Sequence, residues 1–256
     1  MIPKISVVVP SFNAEKYIGY TLDSILNQKY PNLEVIIQDG ASTDVTVEII
    51  KKYAKKYPGI IWESKKDKGQ VDAINKGLKK ATGEILAFLN ADDVYDKNTF
   101  GAVAEKYSEN PKALWFVGKG KIIDGNGYER SKLVTAYKNL LLKFNNYNFL
   151  LTVNYIMQPS VFLNRNAYVK RGPFWGPKNF VMEYDLWLKI GKDSMPIIID
   201  KYLSSFRLTK ENKSSSYFNI LLPLDFKIAQ KQTHNHLILG LHWLNNLGRR
   251  LFTMLT

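Results

Sequence analysis

Hydrophobic and polar positions divide the first hundred residues into a regular alternation. Ile5-Ser6-Val7-Val8-Val9 has the β-branched, apolar character of a strand buried on both faces, and Pro10 predicts its end. Asn13 can then cap a helix whose apolar stripe is Ile18, Leu22, Ile25 and Leu26. Leu33 to Gln38 reads as a second strand, closed by the polar turn Asp39 to Asp44. Val47, Ile50 and Ala54 share one face of the next helix, which stops at Pro58-Gly59. A third strand at Ile60 to Trp62, a helix from Val71 to Ala81 and a fourth strand at Glu84 to Leu89 complete the pattern.

Strand–helix–strand repetition with short connections predicts an α/β fold, a parallel sheet with helices on both faces. Such sheets bind ligands beyond the carboxyl ends of their strands. Three of those ends carry polar residues: Ser11 with Asn13, Asp39 with Ser42, and Asn90 with Asp92 and Asp93. Turn and capping duties account for Asn13 and Asp44, but less well for two adjacent acids after a buried strand. Two such carboxylates repel unless a cation or another positive group sits between them. A hard divalent ion, Mn²⁺ or Mg²⁺, could bridge them to a diphosphate.

Past residue 110 the pattern loosens. Leu114 to Val117 and Lys121 to Ile123 read as two strands, with a turn at Asp124 to Gly127. Residues 133–157 resist assignment, Ser160 to Leu163 reads as a strand and Glu183 to Ile190 as a helix; Gln158-Pro159-Ser160 could line the acceptor site but reads better as the strand's start. Ser214 to Ser216 marks a boundary, so a catalytic unit is expected at 1–215, with a nucleotide-binding half to about 110 and an acceptor half beyond it. An amphipathic helical segment follows at 216–256.

Composition narrows the chemistry. The chain has 256 residues and no cysteine, which excludes disulfides, thiolate metal sites and a cysteine nucleophile, and suits a reducing cytoplasm. The net charge of +13 favours polyanions or an anionic membrane face, although the lysines at 51–56 read better as a solvated helix face. Aromatic residues do not interleave with a basic stripe, so no nucleic-acid partner is expected. The amino terminus has no signal-peptide pattern, and no run approaches the ~20 apolar residues of a membrane span. A cytoplasmic protein, soluble or peripheral on the membrane's inner face, is expected.

Several blocks together resemble a known family. Val7 to Glu15, Gln38 to Asp44, Asp67 to Gly77, Ala81 to Glu84, Leu89 to Asp93 and Glu183 to Lys189 are similar, in order and spacing, to the inverting family 2 glycosyltransferases. That resemblance implies the GT-A fold, with a mostly parallel, Rossmann-like sheet, and a hexosyl- or N-acetylhexosaminyl-transferase using a nucleotide-sugar donor, a UDP-sugar in this reading. The acceptor would be a glycan or a polyprenyl-linked sugar in surface polysaccharide synthesis. By the same resemblance, Pro10, Ser11, Phe12, Asn13, Glu15, Asp39, Ser42, Asp67, Gly69, Asp72, Asn90, Ala91 and Asp92 would contact the donor, Asp39 at the base. The family's Asp-x-Asp metal motif reads Asn90-Ala91-Asp92 here, a departure that leaves the metal to Asp92 or Asp93. Glu183 takes the position of the family's general base, with Asp185 in reserve.

Other features stay open. Arg207, Lys210 and Lys213 could close over a diphosphate or be a solvated linker. His234, His236 and His242 could suggest a metal site but read better as surface or interfacial residues. In the last helix, His242, Asn245, Asn246, Arg249, Arg250 and Thr253 form a polar face. Leu237, Leu241, Leu244, Leu251 and Leu255 form the apolar one, with Trp243 and Phe252 at the boundary. That segment, 236–255, could meet an anionic membrane, pack its leucines on the catalytic unit, or join a second subunit. A nucleotidyltransferase and a catalytically impaired sugar-binding relative are the rival functions. The first lacks the glycine-rich phosphate loop it would carry near the first strand.

Overall fold

The computed structural model describes residues 2–176, 180–209 and 218–255. One eight-stranded sheet organises the chain, in the order β3-β2-β1-β4-β7-β6-β8-β5. Strands β1 (Ile5–Ser11), β2 (Leu33–Asp39), β3 (Ile60–Ser64) and β4 (Ile85–Phe88) run parallel, as expected. Beyond β4 the sheet becomes mixed: β7 (Val161–Asn164) is antiparallel to β4 and to β6 (Trp115–Ile123). Strand β8 (Ile197–Arg207) is parallel to β6, and β5 (Val94–Tyr95) closes antiparallel on it. The two expected halves therefore share one continuous sheet.

Strand β1 runs one residue past Pro10. Val8 faces β4 and accepts a hydrogen bond from Leu89 N. Pro10 faces the same edge, where the β1–β4 pairing has already ended at Val8 and Phe88, so its missing N–H costs no ladder bond. The alternation along β1 separates two cores. Val8 joins Ile36, Phe88, Trp115 and Trp187 on one face, while Val7 and Val9 join Ile18, Leu22, Ile50 and Phe100 on the other.

Helices α1 (Ile18–Leu26), α2 (Thr46–Lys56) and α4 (Thr99–Glu109) contribute to the second core. Helix α3 (Gln70–Lys80) lies on the first, closely enough that a Cβ on Gly77 would stand 2.4 Å from Val8 Cγ1. The exposed side chains of Lys51, Lys52, Lys55 and Lys56 make the 51–56 cluster a solvated face of α2.

The stretch at 133–157 is helical: α5 (Lys132–Leu141), a short 3₁₀ turn, and α6 (Tyr147–Thr152). Trp115–Ile123 is one strand and not two. Gly118 and Gly120 read as a break because the chain bulges there, with its pairing to β8 shifting register. Side chains cannot occupy the bulge: a Cβ at Gly118 would meet Leu203 Cγ at 2.3 Å, and one at Gly120 would meet Met157 Sδ at 2.5 Å. Asn139 satisfies the interrupted backbone, accepting from Gly120 N and donating to Gly120 O.

After β7 come α7 (Arg165–Arg171) and α8 (Met182–Gly191). The last two helices, α9 (Phe218–Gln232) and α10 (His236–Leu255), pack on α8 and α6 respectively. The boundary expected at Ser214 to Ser216 lies outside the described residues, as do Lys210 and Lys213. No helix among the described residues is long and apolar enough to cross a membrane.

Candidate active site

The three polar strand ends meet at one edge of the sheet, β1 and β2 through direct hydrogen bonds. Asn13 adopts a left-handed conformation (φ 46°) and does not cap α1, which starts at Ile18. Its side chain instead accepts from Thr43 N (2.9 Å), while its own N–H donates to Ser42 Oγ (2.8 Å). Glu15 accepts from Val45 N in the same seam, and Phe12 stands exposed at its rim. Asn13 and Glu15 thus brace one loop against the other.

Asp39 is buried beneath them. Oδ1 accepts from Ser11 Oγ (3.0 Å) and Ser42 Oγ (2.5 Å), and Oδ2 from Ser42 N (2.9 Å) and Ser64 Oγ (2.6 Å). Four donors fill the acceptor capacity of a carboxylate. In this arrangement Asp39 organises the loops, and an incoming base would have to displace one of these hydroxyls.

Asp39 also lines a cleft of about 320 Å³ with Gln38, Glu63, Lys65, Asp67, Ala73 and Lys76. That volume lies at the lower end of the ~300–1,000 Å³ of ligand pockets. Asp67 accepts from Gly69 N (2.7 Å), and Gly69, at φ 102°, makes the turn into α3. Asp72, expected to touch the donor, has a local duty: it accepts from Lys68 N (3.0 Å) and pairs with Lys76 Nζ (2.8 Å). The hydrogen bond from Lys76, then that from Lys68 N, hold its carboxyl below the usual range.

Helix α3 reaches the acidic turn through Gln70, whose Nε2 donates to Asn90 Oδ1 (2.7 Å). Asn90 Nδ2 in turn donates to Asp93 Oδ2 (3.2 Å). Asp93 is fully buried, and its Oδ1 accepts from Arg207 N (2.8 Å). Burial, then the adjacent Asp92 charge, push its carboxyl well above the usual range. The turn is pinned from the other side by Thr21 Oγ1, which donates to Asp93 O (2.7 Å). The structure therefore divides the pair expected to hold a metal. Asp93 faces inward and holds the turn together, while the Asp92 side chain is half-buried. Ala91, just before them, is buried.

Arg207 is neither a linker residue nor a loose clamp. It is the buried last residue of β8, with Nε donating to Asp92 O (2.8 Å) and Nη1 to Asp124 O (2.9 Å). Its guanidinium stacks 4.7 Å from the Tyr17 ring. Gln158 also lies closer to the site than a strand start implies, with Nε2 donating to Phe88 O (2.9 Å), two residues before Asn90. The β-rich pattern of Ile197 to Arg207 was the available signal for β8, and so for Arg207.

Helix α8 approaches through its aromatic face. Trp187 packs edge-on to Phe174, which packs edge-on to Phe88. Glu183 lies four residues before Trp187, hence on the same helical face, and is half-buried. Asp185 points elsewhere: it is 4% exposed and pairs with Lys189 Nζ at 2.6 Å. His234 and His236 are exposed, but His242 is buried, with Nδ1 on Leu151 O (2.7 Å) and Nε2 on Asp225 Oδ1 (3.2 Å).

The model of the family described as Glycosyl transferase family 2 matches residues 6–172, about two thirds of the chain and every one of these strand ends up to β7. The chain belongs to glycosyl transferase family 2. Among curated relatives it is 34% identical over 139 residues to the putative teichuronic acid biosynthesis glycosyltransferase TuaG of Bacillus subtilis, covering 54% of this chain and 55% of that one. It is 29% identical over 232 residues to the poly(ribitol-phosphate) beta-N-acetylglucosaminyltransferase TarS of Staphylococcus aureus, covering 87% of this chain but 38% of TarS. The chain thus spans between a third and just over half the length of these relatives. A crystal structure of S. aureus TarS superposes with a TM-score of 0.68 at 22% identity, over 95% of this chain and 71% of that one. The mannosyltransferase PcManGT of Pyrobaculum calidifontis, in complex with GDP-Man and Mn²⁺, gives 0.69 at 21%, over 94% and 69%. These likenesses establish the GT-A fold, its mixed sheet included, for this chain.

Proposed function

We propose that this glycosyltransferase transfers an N-acetylhexosamine or related sugar from a UDP-sugar, with inversion, to a hydroxyl of a cell-surface glycan or lipid-linked acceptor at the inner face of the membrane. Structures of TarS with UDP and with UDP-GlcNAc, and the relatives' names, which print poly(ribitol-phosphate) and teichuronic acid, support the donor and the acceptor class. The observation that carries the reading is the division of the acidic turn, with Asp93 committed inward and Asp92 at its outer side. Through Gln70 and Asn90 that turn is bonded to the helix whose Ala73 and Lys76 line the cleft.

A divalent cation fits this donor set through Asp92. Mg²⁺ or Mn²⁺ keeps several waters and needs only one or two carboxylates beside substrate phosphates. Asp93 does not fit, because Arg207 N and Asn90 Nδ2 already engage its oxygens. When bound, the ion would neutralise charge on the departing nucleotide. Pro10 to Asn13, Ser42, Asp67 and Gly69 would hold the nucleoside end. Asn90, braced by Gln70, would orient the turn toward the sugar. Glu183 would take the acceptor hydroxyl's proton, since it shares the face of α8 that Trp187 turns toward Phe174 and Phe88.

A thermal-shift screen of UDP-, GDP- and CDP-sugars with Mn²⁺, followed by product release, tests this reading. UDP-N-acetylhexosamines are expected to raise Tm and to be turned over, with loss of both in EDTA. Stabilisation by GDP-sugars alone, or full turnover in excess EDTA, overturns it.

A further inference from the structure

We propose that α10 and α5 together form a surface that docks the enzyme on an anionic bilayer, through apolar faces turned away from the protein. This deepens the reading of a membrane-face enzyme given above.

Helix α10 sits with its polar side inward. His242 and Asn246, one turn apart, are 1% and 8% exposed, and with Arg249 they converge on the buried Asp225 of α9. Asn246 Nδ2 also donates to Leu222 O (3.1 Å), and His242 holds Leu151 O. This network fixes the rotation of the helix, so its leucines look out. Leu237 is 72% exposed, Leu244 55%, Leu251 54% and Trp243 55%. These leucines therefore do not pack on the catalytic unit, although Leu239 of the same helix does, and Arg249 is engaged by Asp225. The side chains of Phe252, Thr253 and Leu255 lie outside the described residues.

Helix α5 repeats the arrangement. Leu133, Tyr137 and Leu140, with Phe144 just beyond, recur at spacings of four, three and four and are all exposed. The two helices are anchored on one short segment: Lys138 Nζ donates to Asn154 O (3.2 Å), three residues from the Leu151 carbonyl that His242 holds. Singly exposed leucines need no explanation, but two neighbouring apolar stripes mark an interaction surface.

Charge selects the occupant. No Asp or Glu occurs between Glu129 and Glu183, or anywhere after Asp225, whereas the exposed Lys132, Lys143, Lys227, Lys231 and Arg250 all fall in those stretches. Pairing this face with a second copy would set positive charge against positive charge. An anionic leaflet reverses that sign, while leucines enter the acyl boundary and Trp243 suits the interface.

The test is sedimentation of the full chain with vesicles of phosphatidylglycerol and phosphatidylcholine, against phosphatidylcholine alone, at low and high salt. Binding is expected to anionic vesicles and to weaken with salt. Leu241→Glu, Leu244→Glu and Leu133→Glu should each lower the partition coefficient about tenfold, the cost of losing one buried leucine. UDP-sugar hydrolysis without lipid should stay unchanged in these variants, showing that they fold. Equal binding to both vesicle types, no binding, or variants that bind like wild type would overturn the proposal. So would a dimer in sedimentation velocity that Leu244→Glu dissociates while vesicle binding persists. Vesicle binding without turnover of any UDP-sugar would leave docking standing and remove the proposed function instead.

Discussion

Substituting the two neighbouring acids one at a time should separate folding from chemistry. Asp93→Ala strips the acceptor from two hydrogen-bond donors, Arg207 N and Asn90 Nδ2, at a site with no solvent exposure. Each orphaned donor costs about 1–3 kcal/mol, partly offset by removing a buried charge that Asp92 repels. A net loss of about 2–4 kcal/mol corresponds to a Tm lower by roughly 5–12 °C for a chain of this size. Asp92→Ala touches a half-buried side chain and should lower stability less than Asp93→Ala. Its turnover should nevertheless fall about 10²–10³-fold, the scale of losing metal-held charge at a leaving diphosphate.

The pH dependence adds a second readout. Burial, then the Asp92 charge, raise the Asp93 pKa above its unfolded value of 3.8. Its stabilising contribution is therefore complete below that value and lost as pH rises through the folded pKa. Asp93→Ala should remove that part of the slope. Scanning calorimetry across pH and a UDP-release assay measure both quantities. A stable, inactive Asp93→Ala beside an active or unfolded Asp92→Ala would refute the assignment.

Three further outcomes follow from the same structure. Glu183→Gln should abolish transfer with donor affinity retained, whereas Asp185→Asn should chiefly lower Tm by loosening the pair with Lys189; single-turnover kinetics and donor titration separate them, and an inactive but stable Asp185→Asn would reverse the roles. Burial pushes the Glu34 carboxyl up, but hydrogen bonds from Ser6, Thr82 and Lys4 outweigh it and bring it down to about 2, so its stabilisation is present above pH 4.5 and lost as pH falls toward 2. Glu34→Gln should flatten that acid limb in urea titrations. Gly77→Ala should cost about 1–3 kcal/mol by forcing α3 off Val8, read as a lower urea midpoint.

Much of the first hundred residues was legible because their determinants are local. A run such as Val7-Val8-Val9 has little use except in a strand covered on both faces, and the helices between strands carry a 3.6-residue period. The polar residues at Ser11, Asp39 and Asn90 could be assigned to one edge of the sheet on connectivity alone. Past β4 the determinants are contacts between distant residues. Gly118 and Gly120 read as a break until Leu203 and Met157 are seen filling the space their missing side chains leave. Equivalent in the sequence, Asp92 and Asp93 are separated by Arg207, more than a hundred residues away, whose backbone N–H claims one carboxylate. Periodicity divided α10 into a polar and an apolar face, but it could not say which one turns inward. That was decided by Asp225, a buried charge that had to be surrounded by His242, Asn246 and Arg249, so the polar face went in and the leucines out.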